Sequence, residues 1–179
     1  MNRFKTSLIV VALGMALIAG CSDSGNDPTG SLPAGFGTLT VNVHDATADD
    51  IETANVTFDS LQAIAADGTL HDVAGAMLGQ PVDLATLING NELTLASDAL
   101  PMNDYVGLRL TVSAVALSFS NGDPPAQLAL PGGLTFQIMT DFTVGETGET
   151  VITLDVPLGS FQLVGSNWMF DTSAITVDG

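Results

Sequence analysis

Beyond residue 36 the chain runs in short segments that alternate apolar and polar residues, each closed by glycine, proline, asparagine or aspartate. Successive side chains of a strand point to opposite faces, so alternation specifies a half-buried strand and is incompatible with helical spacing. Thr38-Leu39-Thr40-Val41-Asn42-Val43-His44 places Leu39, Val41 and Val43 on one face. Asn55-Val56-Thr57-Phe58 begins a second run, but its apolar phase slips before Leu61 and Ala63. A slip of one residue turns inward side chains outward, so a bulge is expected near Asp59-Ser60. The longest run, Tyr105 to Leu117, sets Val106, Leu108, Leu110, Val112 and Ala114 against Tyr105, Gly107, Arg109, Thr111 and Ser113.

Turn residues divide the remainder. Asn89-Gly90-Asn91 precedes the alternating Glu92 to Ala96, and Asn121-Gly122-Asp123-Pro124-Pro125 ends the long run. Pro131-Gly132-Gly133 separates Gln127–Leu130 from Leu134–Val144, and Gly145-Glu146-Thr147-Gly148 reads as a hairpin turn into Thr150–Val156. Leu70–Val73, Phe161–Val164, Trp168–Phe170 and Ala174–Val177 add short strands, while Val82–Leu87 suits one short helical turn. Many short strands at regular spacing predict an all-β chain, an antiparallel sandwich or barrel.

The first 20 residues follow a different rule. Arg3 and Lys5 precede an unbroken apolar stretch from Leu8 to Gly20, which gives way abruptly to Ser22-Asp23-Ser24-Gly25-Asn26-Asp27-Pro28. A basic start, a short apolar run and a small-residue exit describe a secretory signal. The run falls short of the roughly 20 residues a membrane-spanning helix needs. Its end, Leu17-Ile18-Ala19-Gly20 before Cys21, resembles the lipobox of bacterial lipoproteins. That resemblance implies diacylglyceryl attachment to the Cys21 thiol, cleavage before it, acylation of the new amino terminus and anchoring to the membrane. Two or more acyl chains hold a protein stably where one holds it marginally. Ser22 after the cysteine resembles the pattern sorted to the outer membrane, with either leaflet open. Residues 21–35 then read as a flexible tether, and 36–179 as a single domain.

Cleavage removes two of the three basic residues. Arg109 alone then faces 20 acidic side chains, a formal charge of −19. Such a surface repels nucleic acid and anionic headgroups. With Cys21 lipidated no disulfide is available, so burial and backbone pairing must hold the fold. Those 159 residues, Cys21 to Gly179, suffice for one core.

No catalytic residue is assigned. His44 and His71 are each followed by an acid, but a Gly-x-Ser-x-Gly elbow is absent, and both read as strand-end or loop histidines. Among 20 carboxylates some close pair is always available, which keeps a carbohydrate-active enzyme as the alternative to a structural, adhesive or ligand-binding module, with a calcium-stabilised adhesion domain as a third reading. Asp45, Asp49, Asp50 and Glu52 fall on one expected loop and are the candidate calcium ligands, since calcium takes several hard oxygens in loose geometry. Arg109 is expected to pair with a carboxylate on a neighbouring strand or cover an aromatic ring, with a ligand carboxylate as the functional alternative. Trp168, Phe170 and Tyr105 suit a sugar-stacking platform, but their alternation favours the core. The expected cofactor set is therefore empty apart from the covalent lipid and calcium, and a protein or glycan partner is open.

Four segments together resemble the bacterial lipoprotein family called domain of unknown function 4382. They are Gly37-Thr38-Leu39-Thr40-Val41-Asn42-Val43-His44-Asp45-Ala46, Val56-Thr57-Phe58 with Leu61, Pro81-Val82-Asp83-Leu84-Ala85-Thr86-Leu87, and Leu100-Pro101-Met102-Asn103-Asp104-Tyr105-Val106-Gly107-Leu108-Arg109-Leu110. The likeness extends over Gly37 to Val177. Asn103 stands where the family usually has glycine and tolerates the same left-handed turn, and Ser173-Ala174 replaces a frequent proline. The resemblance implies an envelope β-sandwich, transthyretin-like or immunoglobulin-like, of about seven to nine strands. It implies no reaction.

Overall fold

The computed structural model describes residues 32–44 and 50–178; the signal segment, Cys21 and most of the tether lie outside them. One sheet carries β1 (Phe36–His44), β5 (Leu93–Pro101), β9 (Glu149–Asp155) and β12 (Thr176–Asp178) in the order β12-β9-β1-β5. The other is centred on two long antiparallel strands, β2 (Ile51–Ala65) and β6 (Asn103–Phe119). On its outer side β2 pairs with β3 (Leu70–Asp72) and β4 (Pro81–Asp83). On its own outer side β6 pairs with β7 (Ala126–Leu128) and β8 (Leu134–Val144). A separate hairpin joins β10 (Phe161–Val164) to β11 (Asn167–Phe170). No helix among the described residues is long and apolar enough to cross a membrane.

The alternation does what the pleat requires. Leu39, Val41 and Val43 of β1 are fully buried, as are Val56, Phe58, Leu108 and Val112 from the opposing sheet, and all join one apolar cluster. The chain is thus an all-β sandwich. It has more strands than the alternating runs suggested, because short flanking strands share the edges of β2 and β6.

The bulge falls where the phase slip placed it. Phe58 faces Val112 and Ser60 faces Thr111, which leaves Asp59 unpaired; Thr57 faces Ala114, which leaves Ser113 unpaired. These two insertions, one per strand, also re-phase β6. Ala114 is exposed rather than inward, and Val115, Leu117 and Phe119 are buried instead. A second shift at Val106 leaves that residue half-buried and turns Tyr105 into the core. Asn103 does not take a left-handed turn: among the described residues Asn89 (φ 62°) is the one non-glycine with positive φ, and Asn103 is extended strand paired with Val144.

Two connections depart from simple hairpins. Gly145–Gly148 carries the chain from one sheet to the other, because β8 bonds to β6 whereas β9 bonds to β1. Arriving from the opposite sheet, β9 runs parallel to β1, with Val41 beside Ile152 and Val43 beside Leu154. Gly37 permits the crossing, since a Cβ there would collide with the Gly145 carbonyl oxygen and the Val144 side chain. Thr40 braces the same strands, its hydroxyl bonded to Ser97 Oγ at 2.8 Å and donating to Glu149. The other connection is the corner between β5 and β6, where Met102 alone separates strands of different sheets.

Candidate functional site

A cleft of about 300 Å³ opens beside the β10–β11 hairpin, and three separate stretches of chain meet in it. Asp50 and Ile51 enter from the start of β2, and Phe119, Asn121 and Asp123 from the end of β6. Leu158 and Gly159 come from a single 3-10 turn (Leu158–Ser160), and Phe161, Leu163 and Trp168 from the hairpin.

Local chemistry builds each wall. Asn121 Oδ1 accepts from the Asp123 backbone N–H at 2.9 Å and Asn121 Nδ2 donates to Asp123 Oδ2 at 3.0 Å, a side-chain mimic of a turn completed by Gly122 at φ 86°. Pro124 and Pro125 have no backbone N–H to donate, so pairing stops there. The Ser120 N–H donates to the Asp50 carbonyl at 3.1 Å and ties this turn to the start of β2. In the hairpin, one face carries Phe161 opposite Phe170 and Leu163 opposite Trp168. Phe161 stacks on Phe170 (centroids 4.8 Å apart, planes at 21°), and Phe170 meets Phe136 of β8 edge-on at 6.1 Å. Trp168 stacks on Phe119 at 4.9 Å and 21°. These contacts exceed simple area burial and fix the hairpin as one wall of the cleft.

The result is an apolar, largely aromatic floor rimmed by Asp50, Asn121 and Asp123, whose side chains are exposed. Leu163 is 55% exposed, and its hairpin neighbours Val164 (56%) and Met169 (54%) are exposed alike.

Of the residues singled out by sequence, Asp45, Asp49 and Cys21 lie outside the described residues. Asp50 and Glu52 are exposed, and no group of three or more His, Cys, Asp or Glu is placed to hold a metal among the described residues. Tyr105 and Phe170 are core residues, whereas Trp168 is half-buried at the cleft. Arg109 sits between Gln62 and Gln137 in a row across three strands, and among the described residues it makes no ion pair or ring contact. The expected carboxylate on a neighbouring strand is missing there, since both residues opposite Arg109 are glutamines, and Gln62 Nε2 itself donates to Asp72 Oδ1 at 2.7 Å. A hydrogen bond joins His44 Nε2 to Asp178 Oδ2 at 2.7 Å and ties the end of β1 to β12. His71 packs edge-on against Tyr105 at 5.8 Å.

Phe119, Asn121, Asp123, Leu158, Phe161 and Leu163 were not foreseen as site residues. A hairpin with aromatic or apolar residues at 161, 163, 168 and 170 was the available signal, and it reads equally well as core.

Several family-like segments acquire physical meanings. In Val82-Asp83-Leu84 the apolar residues are buried, and Asp83 Oδ1 accepts from the N–H groups of Ala54 (2.9 Å) and Ala85 (3.2 Å). In Leu100-Pro101-x-x-x-Tyr105 the phenol donates to the Pro101 carbonyl.

No curated protein and no solved structure matches the chain. A family model described as Domain of unknown function (DUF4382) matches residues 36–165, from the start of β1 to the turn of the β10–β11 hairpin and short of Trp168. That match takes in most of both sheets, and the chain belongs to the DUF4382 family.

Proposed function

We propose that this chain is a lipid-anchored lipoprotein of a bacterial cell envelope, held through Cys21, sorted to the outer membrane, and acting as a non-enzymatic ligand-binding module. The cleft beside the hairpin carries the binding part of this reading: it sets a half-buried indole beside exposed polar side chains that are free of any ion pair among the described residues. The signal pattern and the cysteine at its end support the address.

A carbohydrate-active enzyme is the second reading, because Asp50 and Asp123 line one cleft. A carboxyl acting as general acid is normally withdrawn from water, and both of these are exposed. Other carboxylates are committed to structure. Asp98 accepts from the Ala74 and Ala99 N–H groups, and Asp83 and Asp171 cap 3-10 turns. The module therefore stands first.

The address is tested by labelled palmitate. The wild type is expected to incorporate it and fractionate with membranes, and Cys21→Ser to do neither. The binding role is tested by co-sedimentation of the detergent-solubilised whole chain with purified, membrane-free envelope glycan, which Trp168→Ala is expected to weaken. Equal sedimentation of both proteins removes the cleft from the reading. Turnover of chromogenic glycosides that disappears in Asp50→Asn replaces the module with the enzyme.

A further inference from the structure

The cleft is chemically one-sided. Its floor is aromatic and aliphatic (Trp168, Phe119, Phe161, Ile51), and its charged lining residues, Asp50 and Asp123, are both acids. Asp50 makes no side-chain hydrogen bond with another described residue, and among the described residues the Asp123 carboxylate accepts only from the neutral Asn121 Nδ2. We propose that the cleft binds an alkylammonium cation, seated against the Trp168 indole with its charge met by Asp50 and Asp123. This rests on the ligand-binding reading above and names the class of ligand.

Three observations converge on a cation. An aromatic face attracts a positive group through its ring quadrupole, tryptophan most strongly, and the attraction grows as the cation loses water in a recess. Two uncompensated carboxylates at the rim add Coulomb attraction and exclude anionic ligands such as phosphates or uronic acids. The sole lysine or arginine of the mature chain is Arg109, ten residues before Phe119 on β6 and so about 30 Å away along the strand. With a screening length of about 8 Å at physiological salt, that guanidinium does not neutralise the rim. A cavity of about 300 Å³ admits one small charged group, whether free or borne on a larger envelope component.

The protein carries its own reporter, because Trp168 is its one tryptophan. The whole chain in a polyoxyethylene detergent is titrated with choline, with choline's uncharged carbon isostere neohexanol, with glucose, and with sodium chloride at matched ionic strength. Choline is expected to change Trp168 emission saturably, with neohexanol binding about tenfold more weakly or worse, and glucose and sodium chloride giving no saturation. Asp50→Asn and Asp123→Asn are each expected to lower choline affinity about threefold or more, in line with loss of one charge contact at an exposed site. Trp168→Leu, followed by calorimetry, is expected to abolish binding while the melting transition persists.

Equal affinity for choline and neohexanol overturns the cation inference and leaves an apolar binding cleft. Saturation by glucose alone overturns it in favour of a neutral sugar and keeps the module. No saturable response to any probe also overturns it, and the module is then judged by the co-sedimentation comparison. Unchanged choline affinity in both Asp→Asn variants overturns the assigned role of the rim.

Discussion

The Tyr105 hydroxyl donates to the carbonyl of Pro101, four residues back, at 2.9 Å, and so closes the corner where the chain leaves one sheet and enters the other. A tyrosine bonded back to the backbone at such a corner is a recurring device of β-sandwiches with Greek-key connections. The ring is buried and stacks on Phe142 with centroids 5.1 Å apart and planes at 9°. Tyr105→Phe keeps the stacking and removes one donor. The expected cost is about 1 kcal/mol, since a partly buried carbonyl loses its partner. Urea unfolding is expected to show a lower midpoint with an unchanged slope; an unchanged midpoint makes the hydroxyl dispensable to the corner.

Burial also pushes the Tyr105 phenol above its ordinary value of 10.0. A group whose pKa is raised on folding contributes stability that is complete below the unfolded value. That contribution is lost as pH rises through the folded one. Stability should therefore fall from about pH 10 upward. Tyr105 is the single tyrosine, so phenolate absorbance reports it alone. The expected curve is displaced to higher pH in the native protein and returns to the ordinary position in urea. Identical curves in the two conditions contradict the buried setting.

At the acid end the sign reverses. Ser173 donates to the Asp171 carboxylate from its hydroxyl (2.6 Å) and its N–H (3.0 Å), and these bonds lower the Asp171 pKa from 3.8. Asp67 is lowered in the same way by Thr69. Both contributions are present above the unfolded carboxylate pKa and lost as pH falls through the folded values. The melting temperature is thus expected to drop on acidification below about pH 4, less steeply in the double variant Asp67→Ala/Asp171→Ala. An equal slope in that variant assigns the acid sensitivity to other carboxylates.

Asp83 joins two elements with one oxygen, which accepts from Ala54 in β2 and from Ala85 in the following 3-10 turn. Asp83→Ala strands both donors, and a loss of about 1–2 kcal/mol is expected. Asp83→Asn retains an acceptor and is expected to recover most of it. Thermal melts of the pair separate capping from charge: equal losses in both variants make the charge, not the acceptor, the stabilising feature.

The legible parts of this fold were those set by near-neighbour periodicity. Leu39, Val41 and Val43 announce a strand because a period of two needs no knowledge of the partner. The phase break between Phe58 and Leu61 announced the unpaired Asp59 for the same reason. Choices made by distant residues were not legible. Gly145–Gly148 has the composition of a hairpin turn, yet the pairing of Val41 with Ile152 draws β9 into the other sheet. The inward turn of Tyr105 depends on the skipped Val106, which disrupts an otherwise regular alternation. The cleft was hidden most deeply, because Asp50, Phe119, Asp123 and Trp168 are brought together only by the completed topology. Asp50 had drawn notice for its acidic neighbours, not for the indole it now shares a cleft with.

The charge inventory leads to a further expectation. Beyond residue 20 one arginine stands against 20 acids, and among the described residues no lysine or arginine pairs with a carboxylate. Folding crowds the carboxylates together, so their repulsion opposes the native state, and few attractive pairs exist for salt to weaken. Raising sodium chloride from about 0.01 M to 0.15 M shortens the screening length from about 30 Å to about 8 Å. The melting temperature at neutral pH is therefore expected to rise with salt, opposite to a fold held by surface ion pairs. The same titration judges calcium at the acidic segment, where Asp45 and Asp49 precede Asp50 and Glu52 in the sequence. Four oxygen ligands acting together require a rise at low millimolar calcium that exceeds the rise at matched sodium ionic strength and reverses with a chelator. A calcium curve that overlays sodium at equal ionic strength reduces the segment to a solvated acidic loop, and a melting temperature that falls with salt overturns the repulsion argument itself.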